Sequence, residues 1–178
     1  MVTWDEAVKR ALHAYLERDR YCYLYGAKGK YISSREDVIA LMQAEPEYYA
    51  RYSEEEKEQI IRNSLYKTAY DCSGFTGWLC TGDRQYSKGQ LISSTFRTRD
   101  LASGVAGSIL FTTYGGKGRH VGIDMGYGLC LDMAYESTDK NIREGKASVR
   151  LYSIHTGNTP WEISFRDSCV DYTGATSK

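Results

Sequence analysis

The sequence predicts an α+β protein in which helices come first and an antiparallel β-sheet follows. Up to residue 82, apolar residues recur at helical spacing behind N-capping signals. From residue 105 onward, short apolar runs alternate with glycines and polar turns, which is typical of strands joined by hairpins. A chain of 178 residues can bury one core, so we expect a single domain over residues 1–178.

The first helix is predicted to begin at a capping box. Thr3 occupies the N-cap position and Glu6 the N3 position, where each side chain can accept from a backbone N–H of the other residue. Four apolar residues at helical spacing follow, namely Val8, Leu12, Tyr15 and Leu16. We expect this stripe to face the core, with a short extended segment at residues 23–26 after the helix, turning at glycines.

Residues 34–67 form a charge-rich segment that we interpret as a helical insertion. Capping signals begin at Ser34 and at Ser53, and Pro46 lies between the two helices that they predict. Two roles remain open for this helical hairpin. It is either a structural buttress or one wall of a binding groove.

The next helix is predicted to follow Asp71, which is a suitable N-cap. Phe75, Trp78 and Leu79 have helical spacing, and Thr81-Gly82 supplies a stop signal. Gly74 and Gly77 each cost about 1 kcal/mol of helix stability relative to alanine, so we expect a close contact on this helix. Cys72 falls in the first turn, where free N–H groups and the helix dipole favour a thiolate.

Five strands are predicted after this helix, at residues 109–111, 121–125, 129–133, 149–152 and 163–165. His120 and Asp132 lie on the two arms of a hairpin, equidistant from Gly126. If paired residue numbers add up to an even value near 252, both side chains share one face and Asp132 orients the imidazole. An odd register would separate them, and Asp124 is the competing carboxylate.

A cysteine at a helix start and a histidine on a strand predict a cysteine hydrolase or acyl transferase. His120 is the best available base, because the other two histidines lie on the first helix and in a polar turn. The backbone N–H of Cys72 or of Ser73 is the natural oxyanion stabiliser. Tyr70 either adds a phenolic hydroxyl or packs beside the nucleophile.

Composition excludes several other classes of function. The 23 basic and 23 acidic residues balance, and no basic cluster predicts a nucleic-acid partner. No stretch approaches the roughly 18 apolar residues of a membrane span. Five irregularly spaced cysteines predict neither a disulfide framework nor a zinc site, so we expect no metal and no cofactor. The 16 tyrosines either pack half-buried or line a groove for a polar polymer.

The motifs at residues 70–75 and 120–123 resemble the NlpC-type family of papain-like cell-wall cysteine peptidases. That family has an Asp-Cys-Ser-Gly nucleophile helix, a His-Val-Gly-Ile strand and a polar third residue on the next strand. Residues 23–26 resemble its Tyr-x-x-Gly segment, and residues 105–111 its Pro-Gly-Asp-Leu-x-Phe strand. Asp132 takes the third position, where the family usually carries His, Asn or Gln.

The resemblance implies a papain-like domain in which the nucleophile helix packs on the antiparallel sheet. It also implies a peptidoglycan hydrolase that cleaves stem-peptide amides through Cys72, His120 and Asp132, most often as a γ-D-Glu–diaminopimelate or γ-D-Glu–Lys endopeptidase. The alternatives are an N-acetylmuramoyl-L-alanine amidase, or a thiol deamidase or acyltransferase with a substrate outside the wall. The candidate substrate-binding residues are Tyr25, Tyr70, Asp71 and Ser73.

The first six residues are acidic and do not resemble a signal peptide. We therefore expect synthesis in a cytoplasm and action on the cell wall after release or delivery, as in a phage lysin or a secreted antibacterial effector. The expected partners are peptidoglycan stem peptides together with a delivery system or an immunity protein, but neither a nucleic acid nor a membrane.

Overall fold

The computed structural model describes residues 1–82, 94–114, 117–156 and 159–176. The α-helices in this part of the chain are α1 (Trp4–Leu16), α2 (Arg35–Ala44), α3 (Pro46–Tyr49), α4 (Glu54–Ser64), α5 (Cys72–Thr81) and α6 (Asp139–Arg143). The strands are β1 (Val2–Thr3), β2 (Tyr21–Tyr23), β3 (Lys28–Tyr31), β4 (Thr68–Tyr70), β5 (Ser94–Thr98), β6 (Ile109–Tyr114), β7 (Lys117–Gly126), β8 (Leu129–Met133), β9 (Val149–Ser153), β10 (Ile163–Asp167) and β11 (Val170–Asp171).

The main sheet has six antiparallel strands in the order β5-β10-β6-β7-β8-β9. A three-stranded sheet, β2-β4-β3, precedes α5, and β1 pairs in parallel with β11. The predicted α+β class is therefore confirmed, with all five predicted strands in the main sheet. The sequence did not predict β3, β4, β5 or α6.

Helix α5 is the central helix of the fold, because it packs on β7 and β8 and is covered by α1. Its residues Phe75 and Leu79 are fully buried in the main core beside Ile123 and Leu131 of the sheet. Burying side chains of this size contributes about 1.5–3 kcal/mol each. The N-terminus of α5 is thereby held at a fixed place above the sheet.

The predicted capping box of α1 is confirmed, but the predicted apolar stripe is wrong. Glu6 N–H donates to Thr3 Oγ1 at 3.2 Å, and Thr3 N–H donates to the Glu6 carboxylate at 2.8 Å. The buried face consists of three alanines, namely Ala7, Ala11 and Ala14. Leu16 is instead 68% exposed. Small side chains allow α1 to approach α5 closely, which larger residues on that face would prevent.

Residues 34–67 contain three helices, so the predicted two-helix hairpin is wrong in detail. The caps at Ser34 and Ser53 begin α2 and α4 as expected. Pro46 does not simply separate them, because it opens the short helix α3, where proline lacks only an N–H that has no helical partner. The three helices share a second core with residues of β2 and β4 and with Ala27 and Ile32, which flank β3.

A buried carboxylate fastens this helical segment to the loop after β8. Glu136 is almost fully buried and accepts hydrogen bonds from Tyr48 at 2.5 Å and Tyr52 at 2.7 Å. Arg62 of α4 also pairs with Asp139 of α6 at 3.0 Å. The segment is therefore anchored to the main sheet through its tyrosines. Among the helices in the described ranges, none has the length and hydropathy needed to span a membrane.

Candidate active site

The N-terminus of α5 presents Cys72, as the sequence predicts. Asp71 is the N-cap, and its carboxylate accepts from Gly74 N–H at 2.7 Å. Gly74 allows the close contact expected of this helix, since a Cβ there would lie 2.8 Å from the carbonyl oxygen of Ala27. Cys72 is half-buried and carries a free thiol. Its position in the first turn exposes it to unpaired N–H groups that favour negative charge.

Asp71 and Ser73 also bind a lysine that the sequence analysis missed. Lys28 Nζ lies 2.6 and 2.7 Å from the two oxygens of Asp71 and 2.7 Å from Ser73 Oγ. The ammonium group thus directs all three of its N–H bonds to protein acceptors. Both Asp71 and Ser73 line the cleft at Cys72, but the charge of Asp71 is already matched by Lys28.

The hairpin of β7 and β8 brings His120 and Asp132 together. Gly122 pairs with Asp132 and Ile123 with Leu131, so the register is the even one of the two alternatives, with a sum of 254 rather than 252. Asp132 is consequently diagonal to His120 instead of directly opposite. His120 Nε2 nevertheless lies 2.7 Å from Asp132 Oδ2, a short hydrogen bond.

Gly122 makes this diagonal contact possible. A Cβ at this position would lie 2.8 Å from the Leu131 carbonyl oxygen, 2.9 Å from the Trp161 ring and 3.0 Å from Asp132 Cβ. The glycine of the His-Val-Gly-Ile motif therefore clears the space between the imidazole and the carboxylate.

The competing carboxylate, Asp124, has a different structural role. It pairs with Cys130 across the hairpin, and its side chain accepts from Gly126 N–H at 2.7 Å. Asp124 therefore stabilises the turn of the hairpin. The carboxylate that contacts His120 is Asp132.

Asp132 is completely buried and receives hydrogen bonds from three side chains. Arg150 donates from Nε to Oδ1 at 2.8 Å and from Nη2 to Oδ2, and Tyr152 donates to Oδ2 at 2.7 Å. Burial alone would raise the pKa of Asp132, but the hydrogen bonds from His120 and Arg150 outweigh it and lower that pKa. The carboxylate therefore stays ionised next to the imidazole.

His120 is fixed by a ring contact and by its hydrogen bond to Asp132. Its ring stacks on Trp161, with centroids 5.6 Å apart and planes 17° from parallel. Burial would lower the pKa of His120, but the hydrogen bonds and charges of Asp132 and Cys72 outweigh burial and raise it to about 9. Because Nε2 faces Asp132, Nδ1 is the nitrogen available to Cys72. The Cys72 thiol, the His120 imidazole and the Asp132 carboxylate thus have the chemistry expected of a nucleophile, a base and a group that orients the base.

Cys72 and His120 open onto a cleft of about 360 Å³. Its lining residues are Tyr25, Gly26, Lys28, Glu45, Asp71, Cys72, Ser73, Phe111, Arg119, His120 and Val121. Glu45 comes from the 34–67 segment, and the ring of Tyr25 stacks on the ring of Tyr48 from the same segment, with centroids 3.9 Å apart. The segment therefore forms part of the groove wall as well as a buttress.

Tyr70 is placed differently from the other three candidate substrate-binding residues. Its side chain is 0% exposed and stacks on Trp78 with centroids 5.4 Å apart. In this structure the ring packs in the core beneath the nucleophile and has no surface to offer a substrate. The packing alternative for Tyr70 therefore fits the structure, whereas Tyr25, Asp71 and Ser73 line the cleft.

Sequence reasoning missed Arg150, Tyr152 and Trp161. Arg150 pairs with Asp132 across β8 and β9, but an intervening loop and α6 hide that register from the sequence. Trp161 is preceded by Pro160 in a segment without regular structure, and no motif marks it as a partner of the histidine. Among the residues that the structure describes, no three His, Cys, Asp or Glu side chains form a cluster that could hold a metal ion.

Comparison with solved structures identifies the fold as NlpC-type. The crystal structure of the NlpC/p60 domain of the peptidoglycan hydrolase SagA aligns over 93% of this chain and over 99% of the SagA chain, with a TM-score of 0.52 and 18% sequence identity. NlpC2 from Trichomonas vaginalis matches 91% of this chain and 46% of its own, with a TM-score of 0.48 and 15% identity. No protein-family model matches the sequence, and a search of curated proteins gives no match.

Proposed function

We propose that this chain, with its NlpC-type fold, is a cysteine peptidase that hydrolyses amide bonds of peptidoglycan stem peptides. The observation that carries the proposal is the placement of Cys72, at the start of α5, beside the His120–Asp132 pair in an open cleft. The structural similarity to the NlpC/p60 domain of a peptidoglycan hydrolase supports the same substrate class. Within that class we propose a γ-D-Glu–diaminopimelate or γ-D-Glu–Lys endopeptidase.

In the first half of the reaction, Cys72 attacks the amide carbon as the thiolate, and its proton is already on His120, because a pKa of about 9 keeps the imidazole protonated at neutral pH. The tetrahedral oxyanion is stabilised by backbone N–H groups at the start of α5, those of Cys72 or Ser73. The imidazolium then donates that proton to the leaving nitrogen, and the C–N bond breaks to give a thioester and a free amine.

In the second half, His120 takes a proton from water, whose oxygen attacks the thioester carbon. Collapse of the second tetrahedral intermediate breaks the C–S bond, releases the carboxylic acid and leaves the thiolate beside the protonated His120. Asp132 keeps the ring oriented and stabilises the imidazolium in both halves, which is the role of the third residue in such triads. Arg150 and Tyr152 in turn hold Asp132 in place.

Digestion of purified cell walls tests this proposal. The wild-type protein is incubated with sacculi, and the released fragments are identified by mass spectrometry together with the new amino groups. Cys72→Ala should abolish release, because no other group in the cleft can form the thioester. Cys169→Ala is the matched control, since Cys169 is an exposed cysteine in the turn before β11.

The fragment masses decide between the outcomes. Stem peptides cut after γ-D-Glu support the endopeptidase, whereas stem peptides freed whole from N-acetylmuramic acid identify the amidase. Intact sacculi, together with selective alkylation of Cys72, would overturn the wall substrate and indicate a thiol deamidase or acyltransferase with another substrate.

A further inference from the structure

A β-bulge on β7 lies next to the candidate catalytic histidine. Thr112 pairs with His120, but Thr113 pairs with Gly118, so Arg119 is an extra residue on β7. In a regular strand Arg119 and His120 would point to opposite faces of the sheet. A bulge redirects a side chain locally, and such bulges occur often beside active sites.

Arg119 consequently lines two clefts that meet at His120. The first is the 360 Å³ cleft that contains Cys72. The second, of about 310 Å³, is lined by Thr112, Arg119, His120, Ala134, Tyr135, Arg150, Thr159 and Pro160. A peptide that reaches from one cleft into the other must pass both His120 and Arg119. Arg119 therefore borders the path of such a peptide, next to His120.

The charge of Arg119 is unmatched within the part of the chain that the structure describes. Its side chain is exposed and makes no ion pair or hydrogen bond with any described residue. Lys28, the other permanent cation of the Cys72 cleft, is fully engaged with Asp71 and Ser73. Glu45 lines only the first cleft and packs against Gly26, away from the junction. The junction therefore offers an uncompensated guanidinium.

We propose that Arg119 is a specificity-determining residue that binds a substrate carboxylate next to the scissile amide. The inference rests on the proposed function, since a γ-linked D-Glu keeps its α-carboxylate free a few bonds from the γ-amide. A planar guanidinium binds a carboxylate through two parallel hydrogen bonds and a full charge, whereas a carboxamide offers only a neutral oxygen. The enzyme should therefore prefer stem peptides whose carboxylate is not amidated.

Four muramoyl tetrapeptides identify which carboxylate is bound. They combine D-Glu or D-isoglutamine at position two with Lys or diaminopimelate at position three. Comparing D-Glu with D-isoglutamine tests the α-carboxylate, and comparing diaminopimelate with Lys tests the side-chain carboxylate. The value of kcat/KM is measured for each peptide, and mass spectrometry locates the cut.

The kcat/KM of the wild type should be about tenfold higher for the peptide with the free carboxylate than for its counterpart without it. This ratio lies at the low end of what a charge-assisted hydrogen bond contributes, because Arg119 is exposed. Arg119→Gln should bring that ratio close to one while changing kcat/KM for the amidated peptide by less than about threefold. Arg119→Lys should give an intermediate ratio, because it keeps the charge but loses the paired donors. The wild-type ratio should also shrink when salt is raised from about 0.05 to 0.5 M.

Arg143→Gln, which removes an exposed arginine of α6, is the matched control and should leave the ratio unchanged. If the wild type cleaves the peptides but Arg119→Gln alters neither ratio, the assignment of Arg119 is overturned and the proposed function stands. If the wild type cleaves none of the four peptides, both are overturned.

Discussion

Replacing Arg150 with methionine would remove the main support of the candidate catalytic carboxylate. Asp132 is 0% exposed, and Arg150 supplies the hydrogen bond to Oδ1 at 2.8 Å and a second one to Oδ2. Methionine fills a similar volume but leaves a buried charge with only His120 and Tyr152 as donors. Breaking one side of a buried ion pair costs about 3–5 kcal/mol. The variant should remain folded, since domains have about 5–15 kcal/mol of stability.

The loss of unfolding free energy should be measured by urea unfolding. Thermal unfolding should show the same loss as a fall in Tm of about 6–20 °C for a chain of this size. The difference in unfolding free energy between the two proteins should also depend on pH. Asp132 stabilises the wild type above its ordinary pKa of 3.8, and this contribution disappears as the pH falls through its lower folded pKa. Without Arg150 the carboxyl group protonates at a higher pH, so the gap between the two proteins should narrow in acid.

Two variants control this measurement. Arg150→Lys keeps a cation without the paired geometry and should lose less than the methionine variant. Arg143→Met changes an exposed arginine of α6 and should stay within about 0.5 kcal/mol of the wild type. A difference below about 1 kcal/mol for Arg150→Met at pH 7, or a gap that is the same at pH 7 and pH 4, would refute the reasoning.

Three further changes test the same site. The wild type should have a higher unfolding free energy than His120→Gln, and this difference should fall by about 3 kcal/mol between pH 6 and pH 10, at about 1.4 kcal/mol per pKa unit. The reason is that the stabilisation by the imidazolium is complete below pH 6.5 and is lost above its folded pKa of about 9. Urea titrations that show the same difference at both pH values would contradict this. Gly122→Ala should lower the unfolding free energy by about 1–3 kcal/mol through overpacking. It should also lower kcat, since the new Cβ approaches Asp132 Cβ to 3.0 Å. Full activity of this variant would contradict the expectation. Tyr152→Phe removes one of four hydrogen bonds to Asp132 and should lower the unfolding free energy by about 1 kcal/mol. Its kcat should stay within tenfold of the wild-type value. A hundredfold loss of kcat would show that Tyr152 has a larger role.

Local signals in the sequence were sufficient to predict the elements that present the candidate site. The N-cap at Asp71 and the stop at Gly82 bound α5, and the glycines of the hairpin turn located the two arms that carry His120 and Asp132, although the parity of their register stayed open. These features depend on residues close together in the chain, where capping and turn chemistry act. The same kind of signal correctly placed the starts of α2 and α4.

Features that depend on tertiary packing could not be predicted in this way. Alanine has little apolar surface, so a pattern based on large residues chose the wrong face of α1. Arg150 reaches Asp132 from a strand 18 residues later in the chain, and Trp161 lies further still from His120. The bulge at Arg119 was also missed, although Gly118 directly precedes it and a glycine within a strand often marks a bulge.

The most direct test of the central claim is the rate at which iodoacetamide alkylates each cysteine at pH 7, followed by peptide mass spectrometry. If His120 activates Cys72, the half-buried Cys72 should react at least about tenfold faster than the exposed Cys169 of the same molecule, because the thiolate is the reactive form. His120→Ala should remove that advantage and leave Cys169 unchanged. Equal or slower labelling of Cys72 in the wild type, or a rate that is independent of His120, would contradict the account.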